Sequence, residues 1–266
     1  MRKKIKKIVV SLALIYTLLG VLLAVFQEKL LFLPSKLPVD YSYSFSDDFE
    51  EINLTSNDGA VLNALHFKNE NPKGIILYFH GNSGDLSRWG TVVSYFVQYQ
   101  YDVIVMDYRT YGKSTGKLSE AALYQDAQMF YDYTQKFYDE KDIIVYGRSL
   151  GTAFAAYVAS KNNPGRLLLE TPFTSIVDVA KSRFPIYPVK WLIKYPFKTE
   201  MVVEKVRCKI TIFHGTEDDV VPYRFGKKLY EKLEQSNSEL ITITGGNHNN
   251  LRDFEEYTKR IEELLQ

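Results

Sequence analysis

Asp142-Ile143-Ile144-Val145-Tyr146-Gly147-Arg148-Ser149-Leu150-Gly151-Thr152-Ala153-Phe154-Ala155-Ala156-Tyr157 passes from a β-branched apolar run to an alanine-rich one across five residues. The first part reads as a short buried strand and the second as a helix. Between them, Gly147 to Gly151 form a G-x-S-x-G. A serine on so sharp a strand-to-helix turn has strained backbone angles, and its hydroxyl stands clear of the sheet. Glycines are required on either side because a Cβ there would strike the neighbouring elements. The helix that starts at the serine points N–H groups and its positive end toward charge developing on a bound carbonyl oxygen.

The same pattern recurs at Gly112-Lys113-Ser114-Thr115-Gly116, in a different setting. Ser114 lies well past the apolar run Val103–Met106, and Lys117 to Glu120 after it read as a loop ending in a helix cap. Ser114 is therefore read as a loop serine and Ser149 as the candidate nucleophile.

The 266 residues, 45% apolar and 24% charged, suit one large α/β domain. A net charge of +1 and the lack of a basic-aromatic motif argue against nucleic acid as a partner. The single cysteine, Cys208, rules out an internal disulfide or a thiolate cluster. With four histidines and no H-E-x-x-H, neither a metal nor a cofactor is expected.

Residues 1–7 carry five basic side chains, and residues 8–26 run without a charge. Such a run matches the ~20 residues a helix needs to cross a bilayer. Lysines on its amino-terminal side predict a cytoplasmic tail, with the rest of the chain on the non-cytoplasmic side. Leu23-Ala24-Val25-Phe26-Gln27 is a poor cleavage site, so the run reads as a retained single-pass anchor rather than a signal peptide. Residues 27–48 form a connector. Its apolar part, Leu30 to Pro34, either lies on the membrane or packs on the domain.

From 49 to 266 strand and helix patterns alternate, which predicts a mostly parallel sheet flanked by helices, with its site at the carboxyl ends of the strands. A hairpin is expected around Asn57-Asp58-Gly59. One segment, 172–207, breaks the alternation. Pro185, Pro188 and Pro196 limit it to two or three short helices, so it reads as a lid inserted over the strand ends. Its aromatic residues fit either an acyl pocket or the lid's own core.

An activated serine needs a base and a group that orients the base, here in the chain order serine, acid, histidine. His66, His80 and His214 lie in or just after earlier strands. His248, in Gly245-Gly246-Asn247-His248-Asn249, follows the last strand and is the candidate base. Glu217, Asp218 and Asp219 follow the run Ile210–Phe213, and spacing from the preceding glycine favours Asp218. The oxyanion donors expected are the backbone N–H groups of Leu150 and of Asn82, the latter in His80-Gly81-Asn82-Ser83-Gly84.

Taken together, Phe79 to Asn82, Asp107 to Gly116, Gly147 to Gly151, Glu170 to Thr174, His214 to Asp218 with Val221-Pro222, and Gly246 to His248 resemble the α/β-hydrolase superfamily. Within it the chain is similar to membrane-anchored serine hydrolases and to the serine-aminopeptidase/monoglyceride-lipase-like group. The resemblance implies Ser149 as nucleophile, Asp218 as acid and His248 as base, and makes the 107–116 loop a structural landmark. Residues 27–34 also look like the anchored subgroup. The expected activity is hydrolysis of a small-molecule or lipid-like carboxylic ester through an acyl-enzyme. The alternatives are an aminopeptidase, which needs an acidic cluster by the lid to hold a free amine, and a non-catalytic membrane interaction module.

Overall fold

The apolar runs settle, in a computed structural model describing residues 1–266, into ten strands and nine helices. In chain order they are α1 (Arg2–Leu31), β1 (Leu33–Pro34), β2 (Phe49–Thr55), β3 (Val61–Phe67), β4 (Gly74–Phe79), β5 (Ser83–Gly84), α2 (Leu86–Val93), β6 (Tyr101–Met106) and α3 (Glu120–Thr134). Then follow β7 (Ile143–Arg148), α4 (Gly151–Lys161), β8 (Arg166–Glu170), α5 (Ile176–Arg183), α6 (Val189–Leu192), α7 (Thr199–Val203), β9 (Lys209–Gly215), α8 (Arg224–Tyr230), β10 (Ser238–Ile243) and α9 (Glu255–Leu265).

Eight strands form one sheet in the order β10-β9-β8-β7-β4-β6-β3-β2. Only the hairpin β2–β3 and the pair β3–β6 are antiparallel. Every residue of β4 and β7 is buried, as expected for central strands covered on both faces. Alternate residues feed two cores. Ile75, Leu77, Phe79 and Val145 pack toward α3 and α4. Ile76, Tyr78, Ile144 and Tyr146 pack toward Trp89 and Val93 of α2 and toward Tyr257 and Ile261 of α9. Each such side chain contributes about 1.5–3 kcal/mol by burial. The mostly parallel, two-sided architecture agrees with the reading from sequence.

Two helix starts are capped as their residues suggest. Asp85 Oδ1 accepts from the Ser87 N–H at 2.7 Å, and Ser119 Oγ accepts from the Ala122 N–H at 3.1 Å. Between β8 and β9 the lid segment forms three short helices, α5 to α7, separated at the proline-rich stretches.

Helix α1 is long and apolar enough to cross a membrane, and Leu12, Leu18 and Val25 are exposed along it. It continues beyond residue 26 to Leu31, because Gln27, Glu28 and Lys29 favour helix and nothing stops it before the extended Phe32. Of the two placements open for Leu30–Pro34, the structure takes packing on the domain. Phe32 is buried edge-on against Tyr195 and Phe197, with ring centroids 5.0 and 6.4 Å away. Leu33 and Pro34 then pair in parallel with Ser83 and Gly84.

The lid's large apolar residues divide. Phe173, Tyr195 and Phe197 belong to the core, whereas Ile186 and Trp191 face outward, Trp191 with 85% of its surface exposed.

Candidate active site

The loops after β4, β7, β9 and β10 open on one edge of the sheet. Pairing Phe79 with Gly147 places the first two loops side by side. Ser149 follows β7 directly with φ of +52°, a left-handed conformation that a non-glycine residue holds only when its surroundings impose it. They do so here. A Cβ on Gly147 would lie 2.6 Å from the Gly151 carbonyl oxygen, and one on Gly151 would lie 1.9 Å from that of Phe79. The turn can therefore press against α4 and β4 only with glycine at both places. The Ser149 N–H is held by the Glu170 carbonyl at 2.9 Å.

Ser149 Oγ lies 2.9 Å from His248 Nε2, and His248 Nδ1 lies 2.7 Å from Asp218 Oδ2. The carboxylate accepts, so Nδ1 carries the hydrogen and the lone pair of Nε2 faces the serine. Asp218 Oδ1 accepts from the Val220 and Val221 N–H groups at 2.9 and 2.7 Å. His214 Nε2, bonded to the Val221 carbonyl at 2.8 Å, is 3.4 Å from Asp218 Oδ2. Burial pushes the Asp218 carboxyl up, but hydrogen bonds from His214, His248 and the Val221 amide outweigh it and hold the pKa at about 2. Asp219 and Glu217 take no part in this relay; they are exposed.

The backbone N–H groups of Leu150 and Asn82 donate to no acceptor within the protein. Leu150 sits at the amino end of α4, where free N–H groups and the helix dipole favour negative charge. A Cβ on Gly81 would lie 3.8 Å from that of Ser149, so the Asn82 loop runs over the serine. This loop is tightly held. Tyr108 Oη donates to the His80 carbonyl and Tyr111 Oη to the Asn82 carbonyl, each at 2.6 Å. The Asn82 side chain donates to the Leu31 carbonyl at 3.1 Å, and the Leu33 N–H to the Asn82 carbonyl at 2.9 Å. His80 bonds within its loop and lies 3.2 Å from Asp107, a structural part, as expected.

The second serine motif lies in a tightly bonded loop. Ser114 is buried, donates to the Asp107 carbonyl at 3.0 Å and accepts from the Asn63 N–H at 2.9 Å.

Sequence reasoning missed Arg148, the variable residue just before the serine. Its Nε is 3.0 Å from Glu170, while Nη2 donates to the His248 carbonyl and to Asn249 Oδ1, each at 3.2 Å. Its guanidinium also stacks over Trp89, whose indole N–H bonds the Ser83 carbonyl at 2.8 Å. One side chain thus joins the serine turn, the histidine loop and the Asn82 loop. The only signal in the chain was a buried-strand arginine followed by Glu170 at the end of the next strand.

Comparison with known proteins agrees with the fold. A family model described as serine aminopeptidase, S33, matches residues 70–196. The α/β-hydrolase domain-containing protein WAV2 of Arabidopsis thaliana is 32% identical over 250 residues, covering 84% of this chain and 80% of its own. Lysophosphatidylserine lipase ABHD12 of Danio rerio is 32% identical over 196 residues, 65% of this chain and 50% of its own. Among solved structures, the Pyrococcus furiosus esterase Pf2001 aligns with a TM-score of 0.69 at 20% identity, covering 87% of this chain and 98% of its own, a likeness of fold. Identity of 32% across 80% of a relative named for its α/β-hydrolase domain, on a sheet of this order, makes the chain a member of the α/β-hydrolase superfamily and an enzyme of the serine hydrolase kind.

Proposed function

We propose that the protein is a membrane-tethered carboxylic ester hydrolase working through Ser149, His248 and Asp218. The observation that carries this reading is the unbroken relay of 2.9 and 2.7 Å from the serine through the imidazole to the carboxylate. Ser149 Oγ attacks the ester carbonyl carbon while His248 Nε2 takes its proton, and Asp218 stabilises the imidazolium. The Leu150 and Asn82 amides receive the oxyanion; one such donor is worth roughly 10²–10³ in rate. The carbon–oxygen bond to the alcohol breaks, and His248 returns the proton to the leaving alkoxide. Water then repeats the attack on the acyl-enzyme, releasing the carboxylic acid and the free serine.

A lipid-like acyl ester is the substrate class favoured by the membrane-length helix beside the lid and by the lipase named among the relatives. The basic run before residue 8 supports a cytoplasmic amino terminus, with the catalytic domain on the opposite side. The aminopeptidase reading wants a carboxylate cluster free to hold an amine. The lid instead carries Lys181, Arg183, Lys190, Lys194 and Lys198; its Asp178 is engaged by Thr174 Oγ1 at 2.6 Å, and its Glu200 and Glu204 pair with Lys232 at 2.9 and 3.7 Å.

Fluorophosphonate labelling tests the assignment. The wild-type chain is expected to label and Ser149→Ala to lose the label, together with a fall of about 10⁴-fold or more in nitrophenyl ester hydrolysis. Undiminished labelling of Ser149→Ala would transfer the role to another serine and overturn the reading.

A further inference from the structure

Helix α1 does not stand away from the domain; the lid is built onto it. The Tyr187 ring stacks on Tyr16 with centroids 4.7 Å apart, and Tyr16 Oη donates to the Ile186 carbonyl at 2.8 Å. Gly20 makes room for this, since a Cβ there would lie 3.2 Å from the Tyr187 ring. Lower down, Gln27 donates to the Leu192 carbonyl at 2.9 Å and accepts from the Lys194 N–H at 2.7 Å. Tyr16 to Gln27 spans about 16 Å of helix at ~1.5 Å per residue, roughly half of a ~30 Å hydrocarbon layer. Irregular backbone survives at such depth only when its polar groups are satisfied by protein. Tyr16 and Gln27 do this for the lid, which turns the apolar Ile186 and Trp191 outward beside Lys190.

Between helix and lid lies an apolar cavity of about 170 Å³, lined by Leu23, Leu30 and Leu31 of α1 and by Val179, Phe184 and Leu192 of the lid. A cavity of ~150 Å³ accepts a benzene ring, so this one holds a length of hydrocarbon. Two of its wall residues reach the site. The Leu31 carbonyl accepts from the Asn82 side chain at 3.1 Å, and Arg183 donates to the carbonyls of Asp219 and Val220 beside Asp218. These contacts fasten the cavity's walls to the Asn82 loop and to the Asp218 loop, on either side of Ser149.

We infer that this cavity takes the acyl chain of a membrane lipid ester, with the anchor helix as one of its walls, so that substrate slides in sideways from the leaflet. The inference rests on the ester hydrolase reading and adds where the chain binds and how it arrives.

The test uses the full chain in phosphatidylcholine vesicles, with nitrophenyl palmitate and nitrophenyl acetate as probes. Ala24→Trp and Ala180→Trp fill the cavity from its two sides. Each is expected to lower the palmitate-to-acetate ratio of kcat/KM by about tenfold or more, the scale on which an apolar pocket discriminates. Val25→Trp, on the exposed face of α1, is expected to leave that ratio at the wild-type value. In Ser149→Ala, a diazirine-bearing palmitoyl ester should crosslink to peptides from both 23–31 and 176–193. Wild-type ratios in both filled variants, or adducts confined to the outward face of α1, would overturn the inference and leave the hydrolase reading standing. Failure of the wild-type chain to cleave either ester would overturn both.

Discussion

Ser149 holds a left-handed backbone because two glycines, the Glu170 carbonyl and the start of α4 leave it no other. The residues around it give three predictions. Asp218→Asn removes the charge that orients and stabilises the imidazole and should lower kcat by about 10⁴-fold. The carboxyl is held at about 2, below the ordinary aspartate value near ~3.9, so its ionised form stabilises the fold. That contribution is complete above about pH 5 and is lost as the pH falls toward 2. Thermal unfolding across this window should show the wild type losing Tm more steeply than Asp218→Asn; parallel curves would refute the stabilising role. Arg148 is a positioning residue. Lysine in its place cannot fork to Glu170 and the His248 carbonyl together. Arg148→Lys should cut kcat by about 10²-fold, the cost of a small misplacement, with KM little changed and fluorophosphonate labelling slowed. Loss of KM with kcat intact would contradict it.

At the scale of elements, β1 is two residues long and matters beyond its length, since it seats the Asn82 loop through the Leu33–Asn82 hydrogen bond. Its anchor is Phe32 in a pocket of Tyr195 and Phe197. Phe32→Ala should destabilise the domain by about 3–5 kcal/mol, read as a fall in the urea midpoint, and an unchanged midpoint would mean that the segment is not part of the core. Elements of this kind are hard to read from sequence. Strands such as Gly74–Phe79 and Ile143–Arg148 announce themselves by continuous apolar runs, and α3 by its cap at Ser119. A two-residue ladder has no period, and its partner lies fifty residues away. That α1 runs on past the uncharged stretch is hidden for a related reason. Residues 27–31 are polar enough to look like connector, yet each favours helix, and the Gln27 side chain is occupied by a lid that no local pattern reveals.

For the whole molecule, the alternation of strands and helices, the serine turn and the order of the candidate acid and base were all legible, because each is a local motif placed by a topological rule. What joins them was not. Arg148 to His248, Gln27 to Leu192 and Tyr16 to Ile186 are contacts between residues 100 to 170 positions apart, decided by three-dimensional packing alone. The last two tie α1 to the lid, and the Leu31 and Leu33 contacts tie its end to the Asn82 loop. A helix whose apolar length mismatches its bilayer tilts. On a slack tether such tilting would dissipate, whereas here Leu31 and Leu33 carry it straight to Asn82. Under the proposed function, a change in bilayer thickness is thereby expected to alter the rate of ester hydrolysis, through the loop proposed to receive the oxyanion.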